Sequence, residues 1–496
     1  MRPKIPLVLT LSSVFVRVYL SFLFIETVRS LPLETLVRIL SGERFTPYSL
    51  AVKLGAKVVL ESSSYKKGRE RYSVLMLKEA FRVTQEGTTV RLHKDGRKFR
   101  VKAPYRDILD VLMYFARQHA DPAQDFPFPA GGVGYLSYEF CRFCDTIKIT
   151  PKKDSLKLPD AIFLFGHVFL IYDHYTDLIY LVGLNYKESQ IDLEEALKDY
   201  EAQIQNGDWS ALDETGQNYP AEILPQAYDA DATFKHNVDE VRRHIIAGDL
   251  LQAVPSRRIR VKTAMPALEA YRRLRSSNPS PYLFYLDFGA YQLFGASPEV
   301  HVKVKDGLAE IRPIAGTRRR GKTPLEDREL EAELLADTKE RAEHLMLVDL
   351  ARNDLGRICQ PGSVHVTESY LVERYSHVMH MVSNVQGTLA EGQLGIDALR
   401  ASFPAGTVSG APKIRAIEII DGLEPEPRRF YAGVVGHLSP SGNLDTCIAI
   451  RSALKQGDTM ILQAGAGIVY DSQADRELEE TNEKMRALAR SLGLEV

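Results

Sequence analysis

Two pairs of glutamates place the tightest demand on how this chain folds. Glu340 and Glu343 lie in the run Ala336 to Arg357, ADTKERAEHLMLVDLARNDLGR, and Glu477 and Glu480 lie in DRELEETNEK. Both pairs are spaced i, i+3, so a helix over either run puts its two carboxylates on one face. Like charges one turn apart repel, and neither helix gains stability from its own pair. Two readings follow. The pairs are solvated acidic faces, flanked in the first run by Lys339 and Arg341, or the two helices meet across one divalent cation. Mg²⁺ takes hard oxygen ligands and often uses only one or two carboxylates together with substrate oxygens. In the first run the period assigns Leu345, Val348 and Leu350 to the apolar side.

A chain of 496 residues commonly divides into domains, although single α/β units of this size exist. Its 63 basic and 65 acidic side chains nearly cancel, which disfavours a polyanionic or membrane-surface partner. Four cysteines (Cys141, Cys144, Cys359, Cys447) suit a reducing, cytoplasmic setting, and the Cys141–Cys144 pair lacks a second half for zinc. Residues 1–30 read as an atypical apolar extension. Arg2 and Lys4 precede an apolar run that Arg17 interrupts, consistent with a targeting segment or an extra strand. An N-terminal region spans 31–205. Within it Lys57 to Ser62 reads as a strand, Thr89 to Val101 as a hairpin on Asp95-Gly96, and Ala161 to Val182 as two strands. Tyr105 to Ala120 and Glu188 to Ile204 have helical periodicity. The polar stretch 206–226, with Gly207, Gly216, Pro220 and Pro225, reads as a linker. Residues 227–496 open with a helix from Asp231 to Ala247 and continue as antiparallel strands interleaved with helices. That order is α+β rather than regular βαβ.

No P-loop, GxSxG elbow, HExxH or dinucleotide fingerprint is present. Several polar residues stand where packing does not ask for them. Gln252 sits in LLQAVPSRR, and Glu299 follows GASP at a strand end, where burial would raise its pKa into the range of a general acid. His377 and His380 lie in RYSHVMHMVS, Thr407 lies in the glycine-punctuated GTVSGAPK, and Arg451 ends the strand TCIAIR, a position suited to gripping a carboxylate. Each taken singly is an ordinary surface or core residue.

In order, PSRR, PSPYLFYLDF, GASPE, RPIAGTRRRG, ERAEHLMLVDLARNDLGR, YSHVMHMVS, GTVSGAPK, FYAGVVG, DTCIAIR, QAGAGIV and EETNEK form a series that resembles the chorismate-utilising enzymes. The match is closest to the large component of anthranilate synthase, and it is dense from Asp231 to Leu492. The resemblance implies an α+β fold of two packed antiparallel sheets with helices outside and a cleft that binds chorismate with Mg²⁺. By the same resemblance Glu340, Glu343, Glu477 and Glu480 match the magnesium carboxylates. Glu299 matches the acid that helps the C4 hydroxyl leave, and His380 matches a histidine assisting the later elimination. Gly316, Thr317, Thr407, Tyr431, Arg451, Gly465 and Gly467 match substrate-binding positions. Two positions discriminate within the family. Gln252 stands where water-using relatives carry a lysine, and Ala315 stands where many aminodeoxychorismate synthases carry a nucleophilic lysine. Neither residue can do that chemistry, so ammonia attack and an anthranilate product are expected.

A tryptophan feedback site is implied at Leu60, Glu61 and Ser62 together with Asn278, Pro279, Ser280, Pro281 and Tyr282. No glutamine-hydrolysing motif is present, which implies a separate glutamine amidotransferase subunit as ammonia source, in a heterotetramer. The alternatives are the aminodeoxychorismate synthase component of folate synthesis, and a silent subunit that keeps the fold.

Overall fold

The computed structural model describes residues 22–24, 32–64, 68–69, 71–102, 104–123, 125–209, 217–375 and 378–494. Most of the apolar extension 1–30, and His377, lie outside them. Residues 22–24 form a short strand parallel to Arg100–Lys102.

The strand Ala161–Asp173 anchors the N-terminal half. All thirteen of its residues are buried, which is why AIFLFGHVFLIYD reads as a continuous apolar run rather than an alternating one. It pairs antiparallel with Tyr72–Glu86, Leu178–Leu184 and Val133–Leu136. The expected hairpin forms between Thr89–Lys94 and Arg97–Lys102. Asp95 and Gly96 take φ of 50° and 71° at its turn, the left-handed geometry that matches strand twist.

Two runs of antiparallel strands leave this hub. One goes through Val58–Glu61 to Tyr282–Asp287, Gln292–Ser297, Ser452–Gln456, Thr459–Gly465 and Ser256–Thr263. The other goes through Val133–Leu136 to Val434–Leu438, Leu444–Ile448, Val300–Lys305, Leu308–Ile311 and Val378–Thr388. Two sheet layers with helices outside result, an α+β architecture, and the layers are hydrogen-bonded to each other through the N-terminal strands. Within 206–226, Ala221–Ile223 adds an edge strand to Ser256–Thr263 and Trp209 packs on Phe45 with ring centroids 4.7 Å apart. The polar composition there reflects an edge rather than a free tether.

The helix Thr338–Gly356 differs from its sequence reading in one respect. Leu345 is 49% exposed, and the buried stripe is His344, Leu347, Val348, Ala351 and Leu355. Continued one turn towards the N-terminus, that stripe runs through Glu343 and Glu340. In the helix Ala474–Ser491 the buried residues Thr481, Met485 and Leu488 lead back in the same way to Glu477. These carboxylates therefore prolong an apolar stripe instead of occupying the opposite face. Tertiary packing, not the local period, decides which side turns inward.

Candidate active site

The candidate side chains come from several separate elements, and most converge on one cleft. Glu299 sits between the strands Gln292–Ser297 and Val300–Lys305, with its backbone N–H donating to Ser297 Oγ at 3.3 Å. It is buried, and burial pushes its carboxyl up to about 7. The neighbouring Thr407 hydroxyl and Lys484 ammonium pull the other way and only partly offset this. Thr407 Oγ1 is itself buried with no well-aligned partner among the described residues.

His380 lies opposite Thr317 in the pairing of Val378–Thr388 with Ile314–Arg319. Its Nδ1 is 3.0 Å from Thr317 Oγ1 and 3.3 Å from the Gly316 carbonyl oxygen. A carbonyl only accepts, so Nδ1 carries the proton and Nε2 is the free base. Burial holds the ring near 4, hence neutral at pH 7. Gly316 has φ 72°, and a Cβ there would come within 3.2 Å of Glu340 Oε2, which brings the histidine strand against the acidic helix.

Gly465 and Gly467 are required by close approach rather than by flexibility. A Cβ on Gly465 would fall 3.0 Å from Tyr431 Oη and 2.6 Å from the Pro255 carbonyl, and one on Gly467 would fall 2.5 Å from Gln252 Nε2. Gln252 Oε1 is a buried acceptor without a donor among the described residues. Arg451 adopts φ 50°, an uncommon conformation for a non-glycine residue. Burial lowers its pKa, and Glu480 and Glu483 reach it only as charges. No hydrogen bond or ion pair holds its guanidinium among the described residues. A half-buried, unpaired guanidinium is a ready carboxylate site.

The chorismate binding enzyme family matches residues 65–490. This chain belongs to the chorismate-binding enzymes. It is 75% identical over 481 residues to anthranilate synthase component 1 of Spirochaeta aurantia, spanning 96% of this chain and 100% of that protein. To anthranilate synthase component 1 of Cereibacter sphaeroides it is 40% identical over 477 residues, spanning 91% and 93%. Anthranilate synthase component I from Streptococcus pneumoniae superposes with a TM-score of 0.75 at 37% identity, over 84% of this chain and 92% of that one. The menaquinone-specific isochorismate synthase MenF from Escherichia coli shares the fold, with a TM-score of 0.70 at 20% identity over 93% and 95%.

In this chorismate-binding enzyme the four matched glutamates share one neighbourhood but not one ligand set. Among the described residues no three His, Cys, Asp or Glu side chains are grouped as a metal would need. Glu340 instead meets Arg318 at 3.0 Å and Glu480 meets Lys484 at 2.6 Å. Glu343 and Glu477 have no such cation. Burial and then Glu340 push Glu343 up to about 7, with Asp471 and Glu480 adding to the shift against Lys339. Burial, with Glu480 in the same direction, raises Glu477. Two half-buried carboxylates, each disfavoured by other carboxylates nearby, fit a cation that uses few protein ligands. Of the four, Glu343 and Glu477 are the two without a salt bridge among the described residues, and so the two open to a divalent cation.

Three side chains belong to this cleft that the spacing did not single out. Lys484 donates to the Gly465 carbonyl at 2.9 Å and sits one turn after Glu480 in EETNEK. Arg318 follows Thr317 directly and ties Glu340 to Asp337. The Tyr375 ring lies 5.4 Å from the His380 ring.

A second cavity, of about 370 Å³, lies between the two sheet layers. Leu60, Glu61, Ser62, Pro281 and Tyr282 line it, whereas Asn278, Pro279 and Ser280 are not among its lining residues. Glu61 is fixed by Tyr271 Oη and Arg275 Nε, both at 2.7 Å, and the Ser63 N–H donates to the Ser280 carbonyl at 2.9 Å.

Proposed function

We propose that this enzyme is the chorismate-converting large component of an anthranilate synthase, a lyase that turns chorismate and ammonia into anthranilate and pyruvate. That is the first committed step of tryptophan biosynthesis. The observation carrying the reading is the buried Glu299 carboxyl, protonated near neutrality, in a cleft that also holds an unpaired guanidinium and a lysine-free Gln252 position. The 75% identity to the Spirochaeta aurantia component supports the choice of anthranilate over para-amino product.

Arg451 grips one carboxylate of chorismate through paired N–H groups, and the backbone around Gly465 and Gly467 admits the ring closely. Gln252 Oε1, an acceptor without a donor, orients the N–H groups of the attacking ammonia and offers no base to activate water. As the C2–N bond forms and the C4–O bond breaks, Glu299 gives its proton to the departing hydroxyl, which leaves as water. Neutral His380, with Nδ1 committed to Gly316, presents Nε2 for the later proton removal that accompanies loss of pyruvate. Glu343 and Glu477, with Glu340 and Glu480, would hold Mg²⁺, which would supply positive charge against the substrate carboxylate.

Ammonia is taken from a glutamine amidotransferase subunit in a hetero-oligomer, a heterotetramer of two of each. The site is cytoplasmic, as four reduced cysteines suit. No helix among the described residues is long and apolar enough to cross a membrane. Region 227–496 supplies the catalytic side chains, and 31–205 supplies one side of the interlayer cavity, from Leu60 to Val74 and Pro127, which takes tryptophan as a feedback inhibitor.

The test uses purified chain, chorismate, Mg²⁺ and excess ammonium salt, read by anthranilate fluorescence. Fluorescence that disappears with chelator is the expected result. Chorismate consumed without fluorescence assigns an aminodeoxychorismate product instead, and no consumption assigns a silent subunit.

A further inference from the structure

Glu299 also lines a small cavity of about 30 Å³ whose lining includes neither Arg451 nor Gln252. Its polar wall is Glu299, His301, Arg312, Asp354, Ser402 and Thr407. One buried polar atom on these residues, His301 Nδ1, has no hydrogen-bond partner among the described residues. The tautomer of His301 follows from its neighbour. Ser402 Oγ donates to the Ala398 carbonyl at 2.9 Å, so it accepts from His301 Nε2–H at 3.1 Å. Nδ1 is left as a bare acceptor on a ring that is 2% exposed. Burial, with Lys413 adding to it, lowers this imidazole to about 3, so it stays neutral. Asp354 closes the far side. Its two oxygens accept from Lys413 Nζ at 2.9 and 2.7 Å, and the same ammonium donates to the Ser402 carbonyl at 2.8 Å.

A water needs roughly 10–15 Å³ of such space and two to four polar partners, and an unmet buried acceptor costs about 1–3 kcal/mol. We propose that this cavity binds a water molecule that donates to His301 Nδ1 and hydrogen-bonds Glu299, and that Glu299 regains through it the proton given to the departing hydroxyl. The step balances. The water passes one proton to the Glu299 carboxylate as it takes one from solvent at the rim, where Ile311, Arg312 and Leu350 are only partly buried; Lys413 spends its three N–H groups on Asp354 and the Ser402 carbonyl and gives none. His301 touches no reacting atom. It is a positioning residue that fixes the water. The inference rests on Glu299 being the acid.

The test is steady-state kinetics on the full chain with ammonium chloride as nitrogen source, in H₂O and D₂O. His301→Leu removes the acceptor and is expected to lower kcat at least tenfold, leave the chorismate KM within about twofold, and raise the solvent isotope effect. His301→Asn, whose amide can donate to Ser402 and accept from water, is expected to recover kcat to within about threefold. A His301→Leu enzyme with wild-type kcat, or both variants equally slow with an unchanged isotope effect, overturns the route. Wild-type enzyme gives an independent reading in mixed H₂O/D₂O. A bowed dependence on deuterium content supports two protons in flight, and a straight line overturns it. An active Glu299→Gln enzyme would instead remove the assignment of the acid itself.

Discussion

Glu299 shows how one carboxyl acquires a role from its surroundings. Held near 7 by burial, it is protonated below that pH and ionised above it, and only the protonated form can donate. At fixed free ammonia, kcat/KM is therefore expected to fall as pH rises through about 7, with a slope reporting one proton. Glu299→Gln keeps the shape and loses the proton, and kcat should fall by about 10²–10⁴ with chorismate binding retained. Arg451 makes the complementary prediction. Hydrogen bonds to a charged group are worth about 1.5–3 kcal/mol, so Arg451→Met should raise the chorismate KM or Kd by roughly 10- to 150-fold. Calorimetric titration of chorismate checks this directly.

At the scale of elements, two helices bring acid to the cleft because each lets its buried stripe run one turn past its apolar residues into glutamate. Both stripes end at helix N-termini, where the dipole favours a carboxylate. A buried arginine fastens the opposite wall. Arg428 is 1% exposed and donates to Glu424 Oε1 and Oε2 at 2.6 and 2.8 Å, to the Val408 carbonyl at 2.8 Å and to the Val254 carbonyl at 2.5 Å. It thereby ties the segment after Thr407 to the segment after Gln252. Arg428→Met leaves Glu424 buried without its cation, a situation that costs about 3–5 kcal/mol. The expected outcome is a clear drop in the thermal unfolding midpoint together with lost activity. A variant that loses activity with an unchanged midpoint would contradict this structural role.

At the scale of the molecule, the two sheet layers enclose the larger cavity and share walls with the acid's surroundings. Val300 and Arg312 line both the 370 Å³ cavity and the smaller one at Glu299. Arg312 is held from the strand His365–Arg374 by Glu373 at 3.0 Å. A ligand filling the larger cavity thus touches residues that also line the cavity at Glu299. Ser62→Tyr adds a ring to that cavity without touching the cleft. Tryptophan should then bind at least tenfold more weakly, with uninhibited kcat within about twofold of wild type. Titration calorimetry and inhibition curves read the two quantities separately.

The motif series by itself determined the family and the α+β class, because strand runs, glycine punctuation and i, i+3 acid pairs are local patterns. It also pointed to Glu299, His380, Gln252 and Arg451 as the polar residues out of place. The direction each helix faces was decided elsewhere. Leu345 satisfies the local period yet lies in solvent, since only the strands packed against Thr338–Gly356 choose which stripe is buried. Lys484 and Arg318 were in view as letters, but their roles depend on Gly465 and Glu340, brought near from other elements. The small cavity at Glu299 has no signature in sequence, for its walls come from five separate segments. Covalent order carries periodicity and chemistry, whereas burial, the unmet acceptors and the shifted pKa values arise only once distant segments exclude water together.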